Sequence, residues 1–193
     1  MGLPPTDTPL FIVAITGMPG SGKSTAAQAL VAKGWKHVIM GDVIREETSR
    51  RGLVPDSKNT GEVMKQLRKE RGEAVVAELC LEAIRKAGSD RVVVDGIRSM
   101  QEVEAFRKSA RVILIVVHAS QRRRLDLLKE RGRSDDPFSY EMFLKREERE
   151  LGVGIGGAIA LADEVVTNEH ATPEELASEI VRSVDRWVEQ DAR

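Results

Sequence analysis

FIVAIT, Phe11–Thr16, runs directly into GMPGSGKST, Gly17–Thr25, and then into a helix-like segment that continues to Lys33. The nine central residues fit G-x-x-x-x-G-K-[ST], the P-loop or Walker A pattern, in the strand-to-helix context that the pattern requires. Its glycines let the backbone curl so that successive N–H groups and a helix N-terminus converge on a polyphosphate. Gly17, Met18, Pro19, Gly20, Ser21, Gly22, Lys23, Ser24 and Thr25 therefore form the expected triphosphate cradle. Lys23 is placed to reach the β and γ phosphates, and the Ser24 hydroxyl to ligate Mg²⁺.

Working outward, apolar and β-branched runs recur at Phe11–Thr16, His37–Met40, Arg91–Asp95, Val112–Val117 and Glu164–Thr167, which read as five strands. The first, third and fourth are continuously apolar, as in parallel strands covered on both faces. Helical patterns lie between them at Lys23–Lys33, Val43–Arg51, Thr60–Lys86, Gln101–Lys108, Gln121–Arg131 and Tyr140–Leu151, with a closing helix at Pro173–Glu189. The alternation predicts an α/β P-loop sandwich of three layers, doubly wound on a five-stranded parallel sheet, with ligands at the strand carboxyl ends. GVGIGG, Gly152–Gly157, has no apolar strand before it and reads as a flexible junction.

The chain has 193 residues with 41% hydrophobic content, which predicts one domain over 10–193 after a loose lead-in at 1–9. Lys plus Arg total 30 and Asp plus Glu total 31, so global charge points to neither a nucleic-acid nor a membrane partner. A single cysteine, Cys80, excludes an internal disulfide and reads as a small buried hydrophobe. No leader-like or spanning segment stands out, so a soluble cytoplasmic protein is expected, with its oligomeric state open. His37, His118 and His170 are scattered, which argues against a histidine metal site.

Polar residues of interest fall at the expected strand ends. Val92–Gly96, VVVDG, ends an apolar run in Asp95, which has the form of a Walker B carboxylate for Mg²⁺. The next residue is Gly96, not the Glu that activates water in many ATPases, which favours transfer over hydrolysis. Met40-Gly41-Asp42 closes the second run, and Asp42 is expected to cap the following helix with Arg45 one turn on. Arg45 and Arg98 would then converge on a second phosphate beside the P-loop, since guanidinium forks match phosphate oxygens.

Together, GMPGSGKST, GDVIR and VVVDGIRS resemble the nucleoside monophosphate kinases, in which the corresponding arginines hold the acceptor phosphate. More closely, the run Ile12–Leu176 is similar to an archaeal adenylate-kinase-related P-loop kinase family grouped with dephospho-coenzyme A kinase. RGRSDDP at Arg131–Pro137, GVGIGGAIALAD at Gly152–Asp163 and the turn Thr167–Glu169 carry that likeness. Asp95-Gly96-Ile97-Arg98 departs from the usual D-G-x-P-R in lacking the proline and being one residue shorter. The resemblance implies an acceptor-binding helical segment at 43–88 and a lid at 131–139 whose Arg131 and Arg133 neutralise the transferring phosphoryl. It also implies ATP as donor, its adenine near Asn168, with Arg124 serving where Leu127 replaces a common arginine and Gln101 as a base-reading contact. Arg146 and Arg149 are expected in exposed pairs with Glu150 or Glu147.

A small-molecule kinase using Mg·ATP, with AMP as first acceptor, is therefore the expected function. For a hydroxyl acceptor, such as dephospho-coenzyme A, Asp42 would be the general base. A non-catalytic ATP- and AMP-binding sensor or assembly factor would keep the same phosphate ligands, and a nucleic-acid kinase ranks last.

Overall fold

The computed structural model describes residues 10–132 and 139–191. The expected lead-in and most of the expected lid, Arg133 included, lie outside the described residues. The strands are β1 (Phe11–Thr16), β2 (Lys36–Ile39), β3 (Arg91–Ile97), β4 (Arg111–His118) and β5 (Glu164–Thr167). All pair in parallel in the order β2-β3-β1-β4-β5. The fold is the P-loop α/β sandwich that the alternation of patterns predicts.

The P-loop strand is central because it can be buried on both faces. Along β1, Ile12 and Ala14 pack with Cys80, Ile84 and Phe106, whereas Val13 and Ile15 pack with Ala27, Leu30, Ile180 and Val184. This is the two-residue period of a strand dividing its side chains between two cores. The second core is roofed by α1 (Lys23–Val31) and α9 (Pro173–Asp191), and the first by α2 (Met40–Arg50), α3 (Ser57–Arg71), α4 (Val75–Ala87) and α5 (Met100–Arg107). Cys80 lies within the first core, where burial pushes its thiol up to about 12, so it is an inert hydrophobe. Among the described residues no helix is long and apolar enough to cross a membrane.

Several element boundaries differ from those expected from the sequence. The single helix expected over Thr60–Lys86 is two, because Gly72 ends α3 at φ 93°, a conformation that disfavours side chains. Helix α2 begins at Met40 after an extended Ile39, so Asp42 sits in its first turn and is not its cap. After α6 (Gln121–Arg131) and α7 (Tyr140–Gly152), the glycine-rich run is no flexible junction. It forms a short helix, α8 (Ile155–Ala160), which buries Ile155 and Ala158. Strand β3 continues past Asp95 to Ile97, and its register with β1 shifts between Ile15 and Thr16.

That shift is a bulge at Gly96, φ 102°, secured by a hydrogen bond of 2.9 Å from Thr16 Oγ1 to the Ile97 carbonyl. It lets the strand turn at its carboxyl end, where Asp95 and Arg98 come to line one cavity. Gly96→Ala is expected to cost roughly 1–3 kcal/mol through backbone strain, read from the urea unfolding midpoint. An unchanged midpoint would mean that the bulge relaxes without penalty.

Candidate active site

A loop that offers its N–H groups to an anion must dispose of its carbonyls elsewhere, and the P-loop does so with side chains from three directions. Lys23 Nζ donates to the carbonyls of Gly17 at 2.8 Å and Met18 at 3.1 Å. Arg124 Nη1, from α6, donates to the Pro19 carbonyl at 3.3 Å, and Asn168 Nδ2, just after β5, to the Ser21 carbonyl at 2.9 Å. The glycines are required by contact as well as by φ. A Cβ at Gly17 would lie 2.3 Å from the Val117 carbonyl oxygen, and one at Gly20 would lie 2.5 Å from that of Arg124.

The cradle fits a polyphosphate. Helix α1 has no side-chain cap and no acidic residue in its first turn, and the buried Ser21 Oγ has no hydrogen-bond partner. Ser24 and the buried Asp95 line the same cavity. Among the described residues no group of three His, Cys, Asp or Glu could hold a metal by itself. One hydroxyl and one carboxylate suit a Mg²⁺ that takes most of its oxygens from phosphate and water.

Two cavities meet at Lys23, Ser24, Gly20 and Arg131. One, of about 390 Å³, continues from the loop past Thr25, Arg123, Leu127 and Asn168 to the apolar Leu176. The other, of about 230 Å³, brings Lys23, Ser24 and Asp95 together with Arg45, Arg98 and Arg146. Burial pushes the Lys23 ammonium down to about 8, with Arg98 and Arg146 acting in the same direction and the Asp95 carboxylate opposing them.

Helix α7 lines the smaller cavity with Arg146 and Glu150. Its residues Phe143, Arg146, Glu147 and Glu150 recur at helical spacing on the inward side, yet only the first is apolar. Glu147 forms a buried ion pair with Arg124, and Glu150 accepts from Arg98 Nε at 2.8 Å. Arg98 is fixed a second time by Glu102, which accepts from its backbone N–H at 2.8 Å. Arg146 is thus no surface residue paired along its own helix, as the sequence reading expected. The readable signal was a helix whose inward positions carry charge in place of leucine or valine.

A sequence-family model described as an AAA domain matches residues 16–140. UPF0200 protein TK1334 of Thermococcus kodakarensis is 42% identical over 183 residues, covering 92% of this chain and 98% of its own. The chain belongs to the UPF0200 family. UPF0200 protein MJ1399 of Methanocaldococcus jannaschii is 46% identical over 162 residues, 83% of this chain and 82% of the relative. Among solved structures, TT1252 from Thermus thermophilus has a TM-score of 0.66 at 20% identity, covering 91% of this chain and 96% of that one. A Janibacter sugar kinase has a TM-score of 0.57 at 17% identity, covering 92% and 95%. At these identities the likeness is one of fold, and the fold is shared with kinases.

Three expected site residues, Gln101, Arg124 and Asp42, do not line the cavities. Gln101 is exposed at the start of α5 and lines a separate surface hollow with Arg71 and Lys108. Arg124 is buried by Glu147 and the Pro19 and Ala119 carbonyls, and Arg123, one residue earlier, lines the larger cavity instead. Asp42 lines neither cavity; its carboxylate, about half exposed at 52%, pairs with Arg45.

The lowered Lys23 has a measurable consequence. Empty protein loses this proton above about pH 8, whereas bound polyphosphate favours the charged form. Mg·ATP binding at pH 9 should therefore take up a proton, seen in calorimetry as a dependence on buffer ionisation enthalpy. Its absence there would refute the lowered ammonium.

Proposed function

We propose that this chain is a P-loop kinase that transfers the γ-phosphoryl of Mg·ATP to a small phosphate-bearing acceptor, with AMP as the first candidate. What supports the reading is a single cavity in which Lys23, Ser24 and Asp95 face Arg45 and Arg98. A nucleotide-binding domain that only held ATP would have no need for two guanidiniums opposite the end of the triphosphate. The Janibacter sugar kinase has a similar fold, which supports a kinase reading.

ATP supplies the phosphoryl group, and Mg²⁺ supplies charge that screens the triphosphate. In this reading the loop N–H groups and Lys23 orient the triphosphate, and the apolar hollow near Leu176 and Asn168 receives the adenine. Arg45 and Arg98 align the acceptor phosphate for in-line attack; Arg98 exchanges Glu150 for the incoming phosphate. The bond from the γ-phosphorus to the β–γ bridging oxygen breaks as the bond to an acceptor oxygen forms. Lys23, Arg131 and Arg146, together with Arg133, neutralise the charge on the transferring group. A phosphate oxygen is already anionic and needs no base. This suits a site in which the base expected from the sequence, Asp42, is engaged by Arg45 and does not line the cavity.

Lys23→Ala should lower acceptor-dependent ADP release by roughly a hundredfold or more, equivalent to losing at least about 2.7 kcal/mol of transition-state stabilisation. Arg98→Ala should raise the KM for the acceptor while leaving that for ATP within about twofold. Steady-state assays with AMP, CMP, UMP, GMP and dephospho-coenzyme A, against an acceptor-free control, read both. Full activity in Lys23→Ala would exclude the assigned donor site.

A further inference from the structure

We infer that the acceptor carries a second anionic group, seated on Lys58 and Lys65 of α3 at the outer end of the acceptor cleft. The inference rests on the kinase reading and narrows its substrate class. Beyond the inner cavity the cleft widens into a hollow of about 550 Å³ that shares Gly41, Arg45, Arg98 and Glu150 with it. That volume suits a nucleotide-sized ligand. A lone phosphate on Arg45 and Arg98 would leave most of it unused.

The charge of this outer hollow is far from that of the chain. Six of its fourteen lining residues are Lys or Arg and two are Glu, although Lys plus Arg and Asp plus Glu are nearly equal overall, at 30 and 31. Lys58, Lys65, Arg68 and Arg149 line the outer hollow and not the inner cavity. The four are not equivalent. Arg68 is held by Glu102 at 3.3 Å and Glu73 at 3.5 Å, and Arg149 approaches Glu150 at 3.7 Å. No carboxylate of the described residues pairs with Lys58 or Lys65.

Helical spacing explains how these groups share one wall. Lys58, Gly61, Lys65 and Arg68 follow at i, i+3, i+7 and i+10 along α3, one face of the helix. Gly61 keeps the middle of that wall bare, with no heavy atom within 4 Å of where a Cβ would stand. Ile44, Met64 and Val153 add an apolar part to the same lining. The complementary ligand has an anionic group at the reacting end, a flat or apolar body, and a further phosphate at the other end. A nucleoside bisphosphate has that form, whereas AMP supplies only the first two parts.

The test compares AMP with adenosine 3′,5′-bisphosphate and adenosine 2′,5′-bisphosphate as acceptors, in wild type and in the double variant Lys58→Ala/Lys65→Ala. Calorimetric binding of the same three compounds runs beside the assay. Wild type should prefer a bisphosphate over AMP in KM by about tenfold or more, the worth of one charge-assisted contact, and the double variant should erase that preference. The preference should also shrink with added salt. Equal KM values for AMP and both bisphosphates in wild type, or a preference that survives in the double variant, would overturn the inference while leaving the kinase intact. If no acceptor is phosphorylated, the kinase reading fails, and the binding data alone decide whether the second anionic subsite exists.

Discussion

Everything at this site depends on the way the carbonyls of the P-loop are tied back. Lys23, Arg124 and Asn168 draw the carbonyls of Gly17, Met18, Pro19 and Ser21 away from the cradle, which leaves the helix N-terminus and the loop N–H groups facing the cavity. Each tether comes from a different part of the chain, so the loop cannot take its shape until β1, β4, β5 and the helices beyond them are assembled. The donor site is therefore a tertiary construction, even though its motif is local in sequence.

The same logic links the donor end to the acceptor end. Arg124 is fixed by Glu147 and Arg98 by Glu150, three residues apart on one face of α7. That helix bears on the floor of the P-loop and on the acceptor arginine at once. Burying two such pairs requires good geometry to offset desolvation, which fits a role in setting positions. A shift of α7 would be felt by both phosphate sites.

Much of this was legible in the sequence, and the exceptions have physical causes. The parallel sheet was readable because its three inner strands are continuously apolar, and the donor loop because its glycines and Lys23 keep a fixed spacing. Gly72 could have divided the long helix, but its surroundings are strongly helix-forming, so its positive φ was visible only in three dimensions. Arg123 and Arg124 are neighbours, and sequence alone does not say which points to the cavity; the choice is made by Glu147, which captures Arg124 from 23 residues away. From the sequence, Arg146, Glu147 and Glu150 look solvated because charged helices usually are. Their inward direction follows from Phe143, whose fully buried ring sets the rotation of α7.

In the proposed reaction the γ-phosphoryl leaves ATP for an acceptor and not for water. The direct measurement follows the fate of label from γ-³²P-ATP in single-turnover reactions of the purified protein with AMP and the adenosine bisphosphates. Label should appear in the acceptor in step with ADP, with little as inorganic phosphate. Label confined to inorganic phosphate, or retained in bound ATP whatever acceptor is present, would contradict that transfer and identify a nucleotide-binding switch instead.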